Sequence, residues 1–288
     1  MEKENNLISA VNFYITKACN MRCKYCFAGF KQVKSYLNVE EQKKIIKMLY
    51  YSGFSKLNLV GGEPFLVDTF SELIKYSKQL GFYTSIVTNG TLLTTKFLKE
   101  NARYIDQIGL SIDSLNAKTN EMIGRIYENI IPDRLFYEKM CNRILSSGID
   151  LKINTVVSKF NRHEVLSDFI LSAKPIRWKV LQVLSVDGEN DIEKMKISDN
   201  EFQDFIVRNS KAKNVMIYEK SEIIRGSYIM IDPMGRFFDN TNDRYTISEP
   251  INKVGVEKAL EQISFSNQKF IKRKGDYYKH LTSKKIAS

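Results

Sequence analysis

Three cysteines lie close together near the start of the chain, in a spacing typical of a metal-binding loop. Cys19, Cys23 and Cys26 form a C-x3-C-x2-C pattern. Thiolates bind soft metals, and cysteines this close in one loop can face the same ion or cluster. Three ligands leave one coordination position open, whereas a structural metal site is normally closed by four. The pattern therefore predicts a reactive metal centre with a vacant position for a small molecule.

Two other interpretations stay open at this point. The loop is a structural zinc site if a fourth ligand comes from Cys141, His163 or His280, although each lies more than 100 residues away. A net charge of +11, from 44 basic and 33 acidic residues, also fits a nucleic-acid-binding zinc module. The same charge fits a phosphate-rich small ligand, or a lysine-rich surface that only keeps the protein in solution.

Composition excludes several classes of protein. A chain of 288 residues with 43% hydrophobic residues has enough apolar side chains for a large core and is not disordered. Four cysteines are too few for a disulfide scaffold. No apolar run is long enough to span a membrane, and residues 1–9 are too polar for a signal peptide. We therefore expect a cytoplasmic protein.

Strand-like and helix-like runs alternate up to residue 184, a pattern typical of a parallel sheet with helical crossovers. The predicted strands are residues 11–17, 56–60, 82–88, 105–112, 151–157 and 177–184. The predicted helices between them are residues 40–51, 69–80, 94–104, 134–147 and 164–172. We expect an α/β fold, a partial (βα)6 barrel over residues 1–185. Residues 186–288, with a hairpin at 227–239, are predicted to be a C-terminal extension of the same structural unit.

A second motif follows the second predicted strand. Gly61, Gly62, Glu63 and Pro64 stand at its C-terminal end, where the active-site groups of α/β barrels collect. Adjacent glycines let a ligand approach the backbone closely, and the Glu63 carboxylate can accept hydrogen bonds from an ammonium group. This segment is therefore a candidate ligand-binding turn.

Side-chain alternation predicts that several basic side chains point into the interior of the predicted barrel. Alternate residues of a strand share a face, so Lys152 faces the same way as Asn154, and Arg177 the same way as Lys179. Buried cations are costly unless an anion neutralises them, and a triphosphate would suit three or four of them. The alternative is that they face solvent or pair with carboxylates. By the same rule Asn12 shares a face with Tyr14, Ser111 shares one with Asp113, and Asn58 faces inward if Val60 does.

The cysteine loop, with Tyr25 before its last cysteine and GGEP one βα unit later, resembles the signature of radical S-adenosylmethionine (SAM) enzymes. The resemblance implies two cofactors: a [4Fe–4S] cluster held by the three cysteines, and SAM bound to the fourth iron. It implies that reduction of the cluster splits SAM into methionine and a 5′-deoxyadenosyl radical, with a reductase, flavodoxin or ferredoxin as electron donor. The implied SAM contacts are Tyr25, Gly61, Gly62, Glu63, Thr88, Asn89, Ser111 and Asn154.

Longer strings between about residues 10 and 280 resemble viperin and its prokaryotic relatives, among them NLVGGEPFL, KIN, IRWKVLQ and KRKG. The resemblance implies a dehydratase that removes the 4′-hydrogen and the 3′-hydroxyl of CTP, UTP or GTP. The product would be a 3′-deoxy-3′,4′-didehydro nucleotide, a chain terminator in antiviral defence. Residues 272–274 would close over the phosphates. The implied nucleotide contacts are Asn12, Tyr14, Asn58, Arg125, Lys152, Arg177, Lys179, Tyr228 and Arg273.

The chain departs from viperin at positions that bear on substrate and location. Ala28 replaces a histidine after the cysteine loop. Tyr14 replaces another histidine and Val60 a serine, and these two changes lie near the substrate and bear on the preferred base; we expect a pyrimidine. The animal proteins begin with an amphipathic membrane helix, and this chain lacks that pattern, so we expect neither membrane attachment nor a stable nucleic-acid complex. Peptide-modifying radical SAM enzymes are the nearest rival. They use additional clusters, but Cys141 lies in an apolar helical pattern and is predicted to be a core residue.

Overall fold

The computed structural model describes residues 9–281, and within them ten strands form a single mixed sheet. The strands are β1 (Ala10–Tyr14), β2 (Lys56–Val60), β3 (Tyr83–Thr88), β4 (Gln107–Ser111), β5 (Asp150–Val157), β6 (Arg177–Gln182), β7 (Met216–Glu219), β8 (Ile229–Ile231), β9 (Arg236–Asp239) and β10 (Thr246–Pro250). Their order across the sheet is β10-β9-β8-β1-β2-β3-β4-β5-β6-β7. β1 to β7 run parallel to one another, and β8 pairs with β1 in parallel. β9 is antiparallel to both of its neighbours, β8 and β10.

Helices connect the parallel strands and cover the outer face of the sheet. They are α1 (Val39–Tyr51), α2 (Phe70–Leu80), α3 (Thr95–Asn101), α4 (Ala117–Ile123), α5 (Arg134–Leu145), α6 (Ser167–Ala173), α7 (Asp199–Arg208), α8 (Ser221–Ile224), α9 (Ile251–Val254), α10 (Val256–Leu260) and α11 (Asn267–Lys272). Capping boxes begin α1, at Asn38 and Glu41, and α7, at Ser198 and Glu201. Within residues 9–281 no helix has the length and apolar composition needed to cross a bilayer.

The prediction of a partial α/β barrel is confirmed. Parallel strands with helical crossovers curve around one inner face, and β7 and β10 remain as separate sheet edges. The predicted hairpin is formed by β8 and β9. Its strand β8 pairs with β1, which joins the hairpin to the parallel part of the sheet.

Alternation along β5 shows how the sheet separates the core from the site. Leu151 and Ile153 point to the helical side and are fully buried. Lys152 and Asn154 point the other way and remain half-buried on the inner face. Trp178 on β6 also faces the helices, where its ring packs 6.3 Å from that of Phe205. The apolar core therefore lies outside the sheet, and the inner face is free for polar chemistry.

Several elements differ from the sequence-based prediction. The first strand ends at Tyr14, three residues early, because the backbone then turns into the cysteine loop. β7, β10 and α4 were not predicted, and each is short: four, five and seven residues. Part of the predicted polar N-terminus, residues 1–8, and the end of the basic tail, residues 282–288, lie outside the described residues.

Candidate active site

A cavity of about 310 Å³ opens on the inner face of the sheet. Its walls come from the cysteine loop, from the C-terminal ends of β2, β3 and β4, and from inward-facing residues of β5 and β6. Glu63 alone of the predicted site residues does not line it. The cavity brings together Cys19, Cys23, Cys26, Tyr25, Gly61, Gly62, Thr88, Asn89, Ser111, Asn154, Asn12, Tyr14, Asn58, Arg125, Lys152, Arg177, Lys179, Tyr228 and Arg273.

The cysteine loop is fixed by backbone hydrogen bonds to the end of α4. Arg22 N donates to Gly124 O at 3.2 Å, and Lys24 N donates to Ile123 O at 2.9 Å. Gly124 has a φ of +91°, and a Cβ there would lie 2.3 Å from the Arg22 carbonyl oxygen. On the other side, the Asn190 amide donates to the Tyr25 carbonyl at 2.8 Å. The loop geometry therefore depends on a glycine that lies 98 to 105 residues after the cysteines.

The thiols of this loop suit a soft metal centre that displaces their protons. Burial raises the pKa of Cys23 to about 12 and that of Cys26 to about 11, so a free thiol keeps its proton near neutral pH. Cys141 lies on α5 with its side chain buried in the core, as predicted. It is therefore not a fourth ligand. Three sulfur donors around an open cavity fit a [4Fe–4S] cluster that keeps one iron for another ligand.

The GGEP turn packs directly against the start of the cysteine loop. Gly62 N donates to Thr16 O at 2.8 Å, and a Cβ on Gly62 would lie 2.2 Å from Ala18 O. Glu63 is fully buried, and its carboxylate accepts from Thr88 Oγ1 at 2.7 Å and Asn89 N at 2.9 Å. Burial raises its pKa to about 7 despite these hydrogen bonds. In this structure Glu63 positions Thr88 and Asn89 from behind the cavity wall; its predicted contact with SAM stays a prediction.

Arg125 lies at the cysteine end of the cavity. Its guanidinium pairs with Asp113 at 3.1 Å, donates to Tyr25 OH at 3.2 Å and to Ser111 O at 2.7 Å. Its Nε has no hydrogen-bond partner within residues 9–281, so one buried donor stays available for a ligand. In the structure this residue contacts Tyr25 and Asp113, and its predicted contact with the nucleotide stays a prediction.

Five cations line the opposite end of the cavity. Lys56 and Arg177 are the first residues of β2 and β6. Lys152 on β5 lies beside Arg177 in the strand register, Lys179 is two residues further along β6, and Arg273 follows α11. Burial and mutual repulsion lower the pKa of Lys56 and Lys152 well below the usual range, and burial lowers that of Lys179 to about 8. The carboxylate paired with them is that of Glu219, 3.4 Å from Lys179 Nζ. The excess of positive charge suits a ligand with several negative charges.

Lys56 and Tyr277 belong to this end of the cavity and were missed in the sequence. Lys56 is only 2% exposed; its Nζ donates to Tyr277 OH at 2.9 Å and to Gln107 Oε1 at 3.2 Å. The Tyr277 ring also lies 4.3 Å from the Arg177 guanidinium. Lys56 shares its strand face with Asn58, so the alternation rule was sufficient to find it. Tyr277 lies in the C-terminal tail, where no periodic pattern indicates which side chains face the site.

The middle of the cavity is less charged. Asn58 Nδ2 donates to Asn12 Oδ1 at 2.8 Å, which leaves the Asn12 amide and the Asn58 carbonyl available to a ligand. Beside them Tyr14 and Val60 belong to an apolar cluster with Met230. The cavity therefore runs from sulfur ligands through a neutral section to a cationic end.

Comparison with known proteins agrees with this arrangement. The family model described as the radical SAM superfamily matches residues 13–169. An S-adenosylmethionine-dependent nucleotide dehydratase from Flammeovirga pacifica is 47% identical over 95% of this chain and 97% of its own length. A protein of the same descriptive name from Oncorhynchus mykiss is 36% identical, over 93% of this chain and 80% of its own length.

Solved structures share the fold at low sequence identity. Native anSMEcpe with bound AdoMet and a peptide aligns with a TM-score of 0.67 at 14% identity, over 91% of this chain and 82% of that one. Streptococcus suis SuiB bound to S-adenosylmethionine aligns with a TM-score of 0.64 at 18% identity, over 79% of this chain and 59% of that one. These similarities concern the architecture alone.

Proposed function

The chain belongs to the viperin family of S-adenosylmethionine-dependent nucleotide dehydratases, and we propose that it converts a ribonucleoside triphosphate into its 3′-deoxy-3′,4′-didehydro analogue. It is a radical SAM enzyme, and its cofactors are SAM and a [4Fe–4S] cluster. When bound, these cofactors supply the hydrogen-atom abstraction that starts the reaction. The zinc-module interpretation of the cysteines is therefore wrong.

The observation that carries the triphosphate assignment is the cationic end of the cavity. Lys56, Lys152, Arg177, Lys179 and Arg273 line it, with one paired carboxylate among them. Within residues 9–281, the buried Arg177 Nε has no hydrogen-bond partner. Buried cations with free donors are stabilised by an anion that accepts hydrogen bonds, and a phosphate chain supplies many acceptor oxygens. A neutral nucleoside would leave these charges uncompensated.

The remaining predicted contacts divide along the cavity. Cys19, Cys23 and Cys26 would hold the cluster, and Tyr25, Gly61, Gly62, Thr88, Asn89, Ser111 and Asn154 would surround SAM. Asn12, Tyr14, Asn58 and Tyr228 would hold the ribose and base, with the five cations on the phosphates. Arg125 and Glu63 would act at the SAM end, Arg125 through its free Nε and Glu63 by orienting Thr88 and Asn89. Residues 1–185 would then carry the cofactors, and residues 186–288 would complete the nucleotide site.

The reaction needs an electron source, and its product has a defined biological use. We infer that an electron-carrier protein of the reductase, flavodoxin or ferredoxin class supplies the electrons. A nucleotide without a 3′-hydroxyl cannot be extended by a polymerase, so the product would terminate viral RNA synthesis. The apolar neighbours of Tyr14 and Val60 fit a small base, and we propose a pyrimidine.

Turnover with each ribonucleotide tests the proposal. The reconstituted enzyme is incubated without oxygen with SAM, a reductant and CTP, UTP, GTP or ATP separately. We expect 5′-deoxyadenosine far above background with one of the pyrimidines, together with a nucleotide lighter by one water. Modification of none of the four would refute the substrate class, and preferential turnover of GTP would refute the pyrimidine preference.

A further inference from the structure

The cysteine loop has an outer surface as well as the face that lines the cavity. Residues 15–39, which include the three cysteines, contain five basic residues and no acidic one. Lys17 is half-buried and donates to Val33 O, and the other four are exposed: Arg22, Lys24, Lys31 and Lys34. Cys26 lines the cavity and is itself exposed. One short segment therefore supplies sulfur ligands to the cavity and cations to the surface beside them.

Apolar side chains are exposed next to this charged loop. The backbone hydrogen bonds of Arg22 and Lys24 to the end of α4 place the loop beside the turn that follows that helix. Tyr127 and Ile130 fix the turn by exchanging two backbone hydrogen bonds, of 3.0 and 2.8 Å. Three large apolar side chains of this region are exposed: Met122, Ile126 and Ile130. Three such residues close together, beside a charged loop, fit a protein interface.

Electrostatics determines which kind of partner this surface attracts. Residues 117–131 add Lys118, Glu121 and Glu128, all exposed, and the cations of the loop outnumber these two acids. On the other side, residues 187–193 contain four acids, and Asn190 among them donates to the Tyr25 carbonyl at 2.8 Å. A partner with an acidic face would be attracted to the loop and repelled by residues 187–193, which fixes its orientation. A nucleic acid, negative along its whole length, would meet the acidic side too.

We propose that the outer surface of the cysteine loop, together with the turn after α4, is the docking site of an electron-carrier protein of the flavodoxin class that has an acidic face. The inference rests on the proposed function, because it needs a cluster that accepts electrons. One electron passes from the reduced flavin of the carrier to the cluster, and no bond forms or breaks. Interfaces of electron-transfer partners are small, below about 1,200 Å² in total, which one loop and one turn can supply. Docking steered by charge suits a carrier that must leave after each electron.

The test is the reduction of the reconstituted cluster by two reductants, followed by its absorbance and its electron paramagnetic resonance. One reductant is a purified acidic flavodoxin in its reduced form, and the other is reduced methyl viologen, a small cation that needs no docking site. In Lys24→Glu/Lys34→Glu we expect the flavodoxin reaction at low ionic strength to be at least about 10-fold slower than in the wild type. The difference should shrink as salt is added, because salt screens exposed charges. Methyl viologen should reduce both proteins at similar rates.

Two further variants separate docking from overall charge and from damage to the loop. Lys47→Glu/Lys213→Glu changes the net charge equally, on α1 and before the start of β7, and should keep the wild-type rate with flavodoxin. Ile130→Asp lies outside the cysteine segment and should also slow flavodoxin alone, so it decides the matter if Lys24→Glu/Lys34→Glu does not retain its iron.

Unchanged reduction of the surface variant by flavodoxin, or equal slowing with methyl viologen, overturns the inference, whether or not the variant has lost affinity for RNA. Arg22 is left in place because its guanidinium donates to Met21 O at 3.0 Å within the loop. A wild-type cluster that is reduced while no nucleotide is converted overturns instead the proposed function.

Discussion

Gly124 supports the cysteine loop, and its replacement by alanine tests whether that loop must dock on α4 to hold the cluster. The backbone there has a φ of +91°, which costs an L-residue about 1–2 kcal/mol. The new Cβ would lie 2.3 Å from the Arg22 carbonyl oxygen, and no side-chain rotation relieves a clash with backbone. The loop must therefore move away, and it loses two backbone hydrogen bonds worth about 1 kcal/mol each. Together these terms disfavour the docked loop by about 3–4 kcal/mol, a factor of roughly 100 or more.

The assay is the iron and sulfide content of Gly124→Ala after anaerobic reconstitution, followed by gel filtration to remove loosely held metal. We expect most chains to lose the cluster while the thermal unfolding transition remains cooperative. Gly148→Ala is the matched control, because its φ is +72° and nothing lies within 4 Å of the added Cβ. It carries the backbone strain without the clash and should keep its iron. Full and stable iron content in Gly124→Ala would refute the reasoning.

Four other substitutions test the two ends of the cavity. Cys23→Ala should abolish iron binding and both reaction products, by iron analysis and mass spectrometry; an iron-replete, active variant contradicts the cluster assignment. Lys152→Ala or Arg177→Ala should keep the iron and weaken triphosphate binding about 10- to 100-fold in calorimetry, because each loses a charged hydrogen bond; normal turnover would refute the phosphate assignment. Lys56→Met should weaken triphosphate binding similarly and raise the melting temperature of the nucleotide-free protein, because it removes a buried cation; an unchanged affinity contradicts the placement of Lys56 in the site.

The barrel and the strand faces were predictable because they depend on local patterns. Alternation along β5 predicts the inward face for Lys152, and the two-residue spacing on β6 predicts a common face for Arg177 and Lys179; all three line the cavity. The same alternation on β2 gives Lys56 and Asn58 a common face, so the position of Lys56 was also predictable from the sequence. The parallel sheet follows from the alternation of strands and helices, which requires no knowledge of distant contacts.

Other features depend on contacts between distant parts of the chain and left no local signal. β7 has only four residues, too few to show an alternating pattern, so the sequence does not indicate which way the Glu219 side chain points. The resemblance implies a nucleotide contact for Arg125, which stays a prediction, and only the tertiary fold shows its ion pair with Asp113. Glu63 carries a polar side chain in a ligand-binding turn, and only the tertiary fold shows that it lies behind the wall.

The pairing of β8 with β1 has a consequence for the order in which the molecule becomes complete. β1 is a central strand, but one of its two neighbours is β8, formed by residues more than 200 positions later. Until those residues leave the ribosome, Val11, Asn12 and Phe13 present an unsatisfied strand edge that invites association with other nascent chains. A polypeptide truncated before Ile229 retains that exposed edge permanently. We therefore expect C-terminal truncations to aggregate, not merely to lose catalysis.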